Sequence, residues 1–150
     1  MTKGLLNKDK GFTIIEVVLV LAIAGLIFLI VFLALPQLQR SRRDTQRRSD
    51  AGRFLAAMES YASNNNGQYP MNGTDCTSVI DDYIKAGGSD VFADPSEGDY
   101  SCSWTTADPS GPSSSINVHD SLTCDGGGSS RDVAVKIGLE EGGFYCQDNR

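Results

Sequence analysis

The sequence is poor in the residues from which catalytic sites are built. Its 150 residues include a single histidine, His119, and neither a nucleophile–base motif nor a glycine-rich phosphate loop accompanies it. We therefore predict no catalytic residue, no enzymatic activity and no cofactor. We interpret His119 as a surface residue at the end of a strand.

Basic residues are scarce in the second two-thirds of the chain. Residues 54–150 hold four Lys and Arg against fifteen Asp and Glu, a net charge of −11. Nucleic-acid binding requires a basic surface, because the phosphates must be neutralised. This acidic segment is therefore not expected to bind nucleic acid.

Charge is missing altogether from Val17 to Leu35, nineteen residues that are mostly Val, Leu, Ile, Ala and Phe. As a helix this run spans about 28 Å, close to the thickness of a bilayer's hydrocarbon core. Glu16 lies at its start, and an ionisable group at membrane depth indicates a function. Gly25 and Pro36 are helix-breaking residues, since glycine is a poor helix former and proline lacks the backbone donor. One helix from about Thr13 to Asn64 is still expected, with a kink at the membrane edge that is tolerable because the proline lies near the end of the apolar run.

The cysteines have no close neighbours of their own kind, which excludes the paired spacing of a zinc site. All four lie beyond the apolar run, at Cys76, Cys102, Cys124 and Cys146. An even number in a small exported domain indicates two disulfides and an oxidising compartment. Four cysteines allow three pairings, of which we choose Cys76–Cys102 and Cys124–Cys146.

After Pro36 the pattern becomes that of an amphipathic helix with one apolar face, and Asn64–Gly67 supplies a helix stop. The apolar positions are Ala51, Phe54, Leu55, Met58, Tyr61 and Ala62. A short helix is expected at Thr77–Ala86, and strands are expected at 100–106, 115–119, 132–139 and 144–146. The fold class is therefore α+β: a long N-terminal helix, apolar and then amphipathic, packed on a small antiparallel β-sheet.

A turn is expected at Asp94–Tyr100, before the first of these strands. Asp94, Glu97 and Asp99 supply oxygen atoms of the kind that calcium prefers, but their spacing is not that of an EF-hand. Turn chemistry explains the same residues without a metal. We predict no metal site and keep these three carboxylates as a weak calcium candidate.

The N-terminal residues Lys10-Gly11-Phe12-Thr13-Ile14-Ile15-Glu16, followed by the apolar run, resemble the start of type IV pilins and type II secretion pseudopilins. The resemblance implies cleavage by a prepilin peptidase after Gly11 and N-methylation of Phe12. It also implies that Glu16 is the assembly residue. The Gly25–Pro36 segment would lose helical structure during assembly. In these terms residues 1–11 are a leader, 12–36 a transmembrane and assembly helix, 37–66 the amphipathic half of that helix, and 67–150 a pilin-like globular head.

The resemblance implies a structural subunit that polymerises with itself, and with minor pilins, into a helical surface filament for adhesion or twitching motility. Its other partners would be the prepilin peptidase, a pilus assembly platform and, before assembly, the cytoplasmic membrane. The alternatives are a pseudopilin of a type II secretion system and a membrane-anchored binding domain that never polymerises.

The arginine-rich segment Arg40–Arg53 contains six Arg and two Asp, and we consider three interpretations of it. It is a solvated helix face beside anionic headgroups, a surface that pairs with acidic heads of neighbouring subunits, or a site that captures DNA. By the positive-inside rule it would keep the head in the cytoplasm. The cysteines and the resemblance favour export, and long domains translocate largely regardless of charge.

Overall fold

The computed structural model describes residues 11–70, 73–86, 88 and 90–150. The chain divides into two compact units, the first ending at Leu38 and the second extending from Gln39 to Arg150. The predicted leader lies outside the described residues except for Gly11.

The first unit consists of the N-terminal part of helix α1, which spans Ile14–Asn64. Its large apolar side chains are exposed throughout, from Phe12 to Leu38. By length and composition this helix can cross a membrane. An apolar helix with no protein cover must bury its surface in lipid or against other helices.

Gly25 and Pro36 do not interrupt α1, which runs through both residues as the one long helix expected for the single chain. Proline removes one backbone hydrogen bond, but the surrounding residues still satisfy their backbone groups best as a helix in an apolar environment. Loss of helical structure between these two residues remains a prediction for the assembled state.

In the second unit α1 buries the predicted apolar face. Phe54 and Met58 are fully buried, and Tyr61 is half-buried at the edge of the same face. The helix ends at the predicted stop, where Asn66 and Gly67 adopt positive φ angles of 57° and 79°. The Gly67 amide donates to the carbonyl of Ala62 at 2.7 Å, which closes the last turn.

Helix α2 spans Gly73–Val79 and continues as a π-helical turn over Ile80–Ile84. It therefore begins four residues before Thr77, which lies inside the helix and is not its cap. Val79 and Ile80 are buried in the core, as predicted.

Six strands follow. The two-residue strands β1 (Ala93–Asp94) and β2 (Gly98–Asp99) pair antiparallel around the predicted turn. The other four form one sheet in the order β3-β4-β5-β6, with bounds Ser101–Trp104, Ser115–Asp120, Val133–Gly138 and Phe144–Asp148. The α+β class is confirmed.

The four-stranded sheet is mixed, whereas an antiparallel sheet was expected. β3 pairs parallel with β4, and the other two pairs are antiparallel. The reason is residues 105–114, which are long enough to return the chain to the starting end of the sheet instead of forming a tight hairpin.

This connection crosses the sheet face opposite the core. Asn117 Nδ2 donates to the carbonyl of Ala107 at 3.1 Å, and Lys136 Nζ lies 2.5 Å from Asp108 Oδ1. A Cβ atom at Gly138 would overlap the backbone of Gly111. The last residue of β5 must therefore be glycine for the connection to pass over it.

The core lies between α1 and the opposite sheet face. Phe54, Met58, Ile116, Val118, Val133, Val135 and Ile137 form its centre, with Phe92 and Tyr100 beside them. Disulfides join Cys76 to Cys102 and Cys124 to Cys146, the two pairs chosen from the sequence, with Cα atoms 5.9 and 5.8 Å apart. The first ties α2 to strand β3, and the second ties strand β6 to the loop that precedes β5.

Replacing Gly138 with alanine should lower the free energy of unfolding of the second unit by about 1–3 kcal/mol, because neither backbone can move aside easily. Gly127→Ala is the matched control, since a Cβ there meets no atom within 4 Å. Urea unfolding of the full chain in detergent micelles, followed by the fluorescence of Trp104, measures both. Equal stability of the two variants would contradict the passage of residues 105–114 over Gly138.

Candidate functional site

The first candidate site is the start of α1, where Thr13 and Glu16 cap the helix together. Glu16 Oε2 accepts hydrogen bonds from the Thr13 amide at 2.8 Å and the Thr13 hydroxyl at 2.7 Å. The Glu16 amide in turn faces the Thr13 hydroxyl at 3.4 Å. This reciprocal arrangement is a capping box, which satisfies amide groups that the first helical turn would leave unpaired.

Sequence reasoning did not identify Thr13, although the Thr-x-x-Glu spacing before an apolar run is the signature of a capping box. The interpretation of Glu16 as a charge at membrane depth does not use this spacing. Glu16 has a second, local role: its hydrogen bonds with Thr13 hold its carboxylate at the start of the helix.

The capped carboxylate borders an apolar groove. Phe12, Glu16, Val17, Val20 and Leu21 line this shallow groove of about 250 Å³ on the surface of α1. Phe12 is 91% exposed. Both hydrogen bonds that the Glu16 side chain accepts from described residues use Oε2, so Oε1 is open to a donor from outside those residues. The site can therefore receive a cation while neighbouring apolar side chains pack.

Comparison with protein-family models finds a match to the prokaryotic N-terminal methylation motif at residues 6–32. The chain carries this motif. It is the class III signal peptide of type IV pilins and pseudopilins, and it implies processing by a prepilin peptidase and assembly into a pilus-like polymer. No curated protein and no solved structure matches the chain.

The methylation motif includes Gly11, Phe12, Glu16 and Gly25, and it ends before Pro36. It therefore supports a type IV pilin-like or pseudopilin family. It fits membrane anchoring by the apolar helix before assembly. The structure brings Phe12, Thr13 and Glu16 together at one end of α1, whereas Gly25 stands alone on the exposed helix surface.

A second cluster of charged residues lies in the second unit, around the buried side chain of Arg47. Its guanidinium binds Asp94 through two contacts, from Nε to Oδ2 at 2.6 Å and from Nη2 to Oδ1 at 3.0 Å. It also reaches Asp44 at 3.2 Å and Glu140 at 3.3 Å. Arg43 adds a two-point contact with Glu140, at 2.5 and 2.6 Å.

The hydrogen bonds of this cluster join three parts of the chain. Asp44 and Arg47 lie on α1, Asp94 and Ser96 lie in the β1–β2 turn, and Glu140 lies in the β5–β6 hairpin. The amides of Glu140 and Glu141 donate to Asp44 at 2.9 and 3.3 Å. A buried charge is tolerated only when its partners satisfy it. Here two of the three carboxylates, Asp44 and Asp94, also accept hydrogen bonds from backbone amides, which fix their positions.

The cluster changes the protonation of its carboxylates. Burial alone would raise the pKa of Asp94, but hydrogen bonds from Arg47 and Ser96 outweigh burial and lower the pKa from 3.8 to about 2. The hydrogen bond from Arg43 lowers the pKa of Glu140. Both carboxylates are therefore held in the charged form that the arginines require.

This arrangement corrects the interpretation of Arg40–Arg53 as one basic surface. Arg43 and Arg47 bind acidic residues of their own chain, and Arg53 contacts Asp50 at 3.6 Å and Asp90 at 3.4 Å. Arg48 lies over the ring of Tyr145. Only Arg40 and Arg42 make no ion pair or ring contact with the described residues, so a nucleic-acid site would have little of the segment left to use.

The three candidate calcium ligands do not converge. Asp94 faces Arg47, Glu97 accepts a hydrogen bond from the Ser114 amide at 2.9 Å, and Asp99 contacts Lys85 at 3.5 Å. Within the described ranges, no group of three His, Cys, Asp or Glu residues is arranged to hold a metal ion. Asp94 Oδ1 also accepts hydrogen bonds from the amides of Ser96 and Glu97, which is the turn chemistry expected.

His119 is buried, with 3% of its surface exposed, so its interpretation as a surface residue is wrong. Val118 faces the core, which directs the next residue to the opposite sheet face, and the 105–114 connection covers that face. Burial lowers the pKa of His119, and the charge of Lys136 lowers it further. The Nε2 atom of His119 and the Nε1 atom of Trp104 have no hydrogen-bond partner among the described residues.

Arg47→Ala should lower the free energy of unfolding by about 3–5 kcal/mol, because it leaves three carboxylates without their buried partner. Arg47→Lys should recover only part of the loss, since an ammonium group cannot bind Asp94 at two points. Arg40→Ala is the control on the same helix, with an expected change within about 0.5 kcal/mol. Unfolding in urea, monitored by Trp104 fluorescence, distinguishes them; equal losses for Arg47→Ala and Arg40→Ala would exclude a structural role for the cluster.

Acidification should destabilise the second unit in a defined range. The pKa of Asp94 is lower in the folded chain than in the unfolded chain, so its contribution is complete above pH 4 and is lost as the pH falls toward 2. We expect Asp94→Asn to flatten the dependence of unfolding free energy on pH between 4 and 2. Asp99→Asn, which removes an exposed carboxylate, should leave that dependence unchanged. An identical slope in wild type and Asp94→Asn would refute the assignment.

Proposed function

We propose that this chain is a structural subunit of a type IV pilus, which polymerises through α1 into a surface filament for adhesion or twitching motility. The observation that carries the proposal is the methylation motif joined to an apolar helix that is exposed from Phe12 to Leu38. The proposal includes no catalytic role. Minor pilins and an assembly platform would be its partners in the cell envelope.

Cleavage after Gly11 creates an ammonium group on Phe12, which methylation leaves charged. In the polymer this group would bind Glu16 of a neighbouring subunit. The Thr13–Glu16 hydrogen bonds occupy Oε2, which leaves Oε1 for the incoming ammonium. In a bundle of apolar helices an unpaired charge costs several kcal/mol, so a subunit docked in the wrong register is disfavoured.

A contact between Phe12 of one subunit and Glu16 of the next is heterologous, because it uses two different surfaces. Contacts of this kind that do not close into a ring produce a helical filament. The same apolar helix surface would hold the subunit in the membrane before assembly and line the filament interior afterwards, without a change in the side chains that are buried.

Two other functions are consistent with some of these observations. A pseudopilin of a type II secretion system carries the same motif, and the two disulfides and the Gly/Ser-rich loops favour an exposed pilus over it. A membrane-anchored binding domain that never polymerises would account for the helix but not for cleavage and methylation. Intact-mass and N-terminal analysis of protein sheared from cells tests the last alternative: a chain beginning at methylated Phe12 in filaments supports polymerisation, and an intact Met1 confined to membranes excludes it.

Glu16→Ala should abolish filaments or reduce their number at least tenfold while the protein still inserts in the membrane. Glu16→Gln, which keeps the capping acceptor but not the charge, should assemble nearly as poorly. Glu59→Ala removes an exposed carboxylate from the second half of α1 and is the matched control. Filament counts by electron microscopy and membrane levels by immunoblot give the answer; normal filaments from Glu16→Ala would refute the role.

Deletion of the gene distinguishes a type IV pilus from the pseudopilus of a secretion system. A deletion that abolishes surface filaments and twitching or attachment supports a pilus. A deletion that leaves these intact and blocks export of secreted enzymes supports a pseudopilin.

A further inference from the structure

The second unit has a cleft where three parts of the chain meet. The loop after α1 forms one wall through Gln68 and Tyr69, and the end of β4 forms another through Asp120 and Ser121. The segment before β5 completes it with Ser130 and Arg131. The cleft encloses about 450 Å³, within the size range of small-molecule sites.

Several polar groups in this cleft are not used by the fold. The side chains of Gln68, Ser130 and Arg131 make no hydrogen bond to another described residue, and Asp120 accepts only from the adjacent Ser121 hydroxyl at 3.0 Å. Tyr69 accepts a hydrogen bond from Asn149 Nδ2 at 3.2 Å, which fixes the ring and leaves its hydroxyl hydrogen free to be donated. The cleft therefore offers both donors and acceptors around one aromatic ring.

The walls are held in place by contacts outside the cleft. The Ser121 amide donates to the carbonyl of Asp132 at 2.9 Å. The Asp132 carboxylate binds Arg150 at 2.7 Å, and the Cys124–Cys146 disulfide anchors the intervening loop to β6. A ligand that enters would not have to order these segments, which reduces the entropic cost of binding.

The charge of the cleft differs from that of its surroundings. Residues 54–150 carry a net charge of −11, but the cleft holds one carboxylate, Asp120, and one guanidinium, Arg131. This balance favours neither a polyanion nor a simple cation. It suits a neutral ligand with many polar atoms.

Two shallower depressions continue the cleft in both directions. One, of about 300 Å³, shares Gln68 and Tyr69 with it and extends to Tyr61 and the amide side chains of residues 64–66. The other, of about 410 Å³, shares Asp120 and extends to Trp104 and Thr105. The surface is therefore an extended one, with an aromatic ring in each section.

We propose that this surface binds a neutral glycan chain, with one sugar residue in the central cleft and its neighbours in the two depressions. Vicinal hydroxyl groups both donate and accept hydrogen bonds, which matches the amide, carboxylate and guanidinium groups present. The apolar C–H face of a sugar ring packs on an aromatic side chain, and Tyr69 supplies that side chain. The proposal concerns the second unit alone and does not depend on polymerisation.

Binding is tested with the full chain in detergent micelles and a set of neutral hexasaccharides of glucose and of N-acetylglucosamine. Isothermal calorimetry should give saturable binding by at least one of them, with a dissociation constant between about 10 µM and about 1 mM. Asp120→Asn and Arg131→Ala should each weaken that binding at least fivefold, and Gln68→Ala should weaken it at least twofold. All three positions are exposed, so the thermal unfolding midpoint should remain that of the wild type.

Asp81→Asn and Arg42→Ala are the matched controls, since they remove the same charges from exposed positions outside the cleft. Unchanged affinity in Asp120→Asn and Arg131→Ala would overturn the site, as would the absence of saturable binding by every hexasaccharide at about 10 mM. Salt-sensitive binding of a sulfated hexasaccharide or a DNA oligonucleotide in preference to the neutral ones would overturn the class of ligand.

Discussion

The second unit depends on one buried interaction, the two-point contact between Arg47 and Asp94. Through it a helix residue is joined to a turn 47 residues further along the chain, and through Glu140 to a hairpin 93 residues away. Apolar packing alone would allow α1 to slide or rotate over the sheet, because hydrophobic contacts are non-directional. The planar guanidinium can donate to these carboxylates in only one arrangement, which fixes a single position of α1 on the sheet.

Directional hydrogen bonds of a charged group also organise the start of α1, but there the group is not fully satisfied. Thr13 and Glu16 satisfy each other, but the Glu16 carboxylate stays exposed and one oxygen is unused. The Arg47 cluster is complete within the chain, whereas the Glu16 site has capacity for one more charged partner. A complete cluster stabilises a fold, and an incomplete one at the edge of an apolar surface favours association.

The connection over the sheet shows how a single glycine controls topology. Without a side chain at Gly138, residues 105–114 cross the outer face, β3 pairs parallel with β4, and His119 becomes buried. The ends of β3 and β4 then border the surface that contains Trp104 and Asp120. The absence of a side chain at Gly138 is therefore required both for the fold and for the candidate ligand surface.

Local patterns in the sequence were sufficient to predict four features. They are the membrane-length apolar helix at Val17–Leu35, the buried face with Phe54 and Met58, the helix stop at Asn66–Gly67 and most strand positions. Each depends on neighbouring residues only. The tertiary structure alone decided that Arg47 is buried, that β3 runs parallel to β4 and that His119 is covered. These features depend on residues far apart in the chain. An arginine in a basic run looks the same in sequence whether it faces solvent or a carboxylate brought to it by folding.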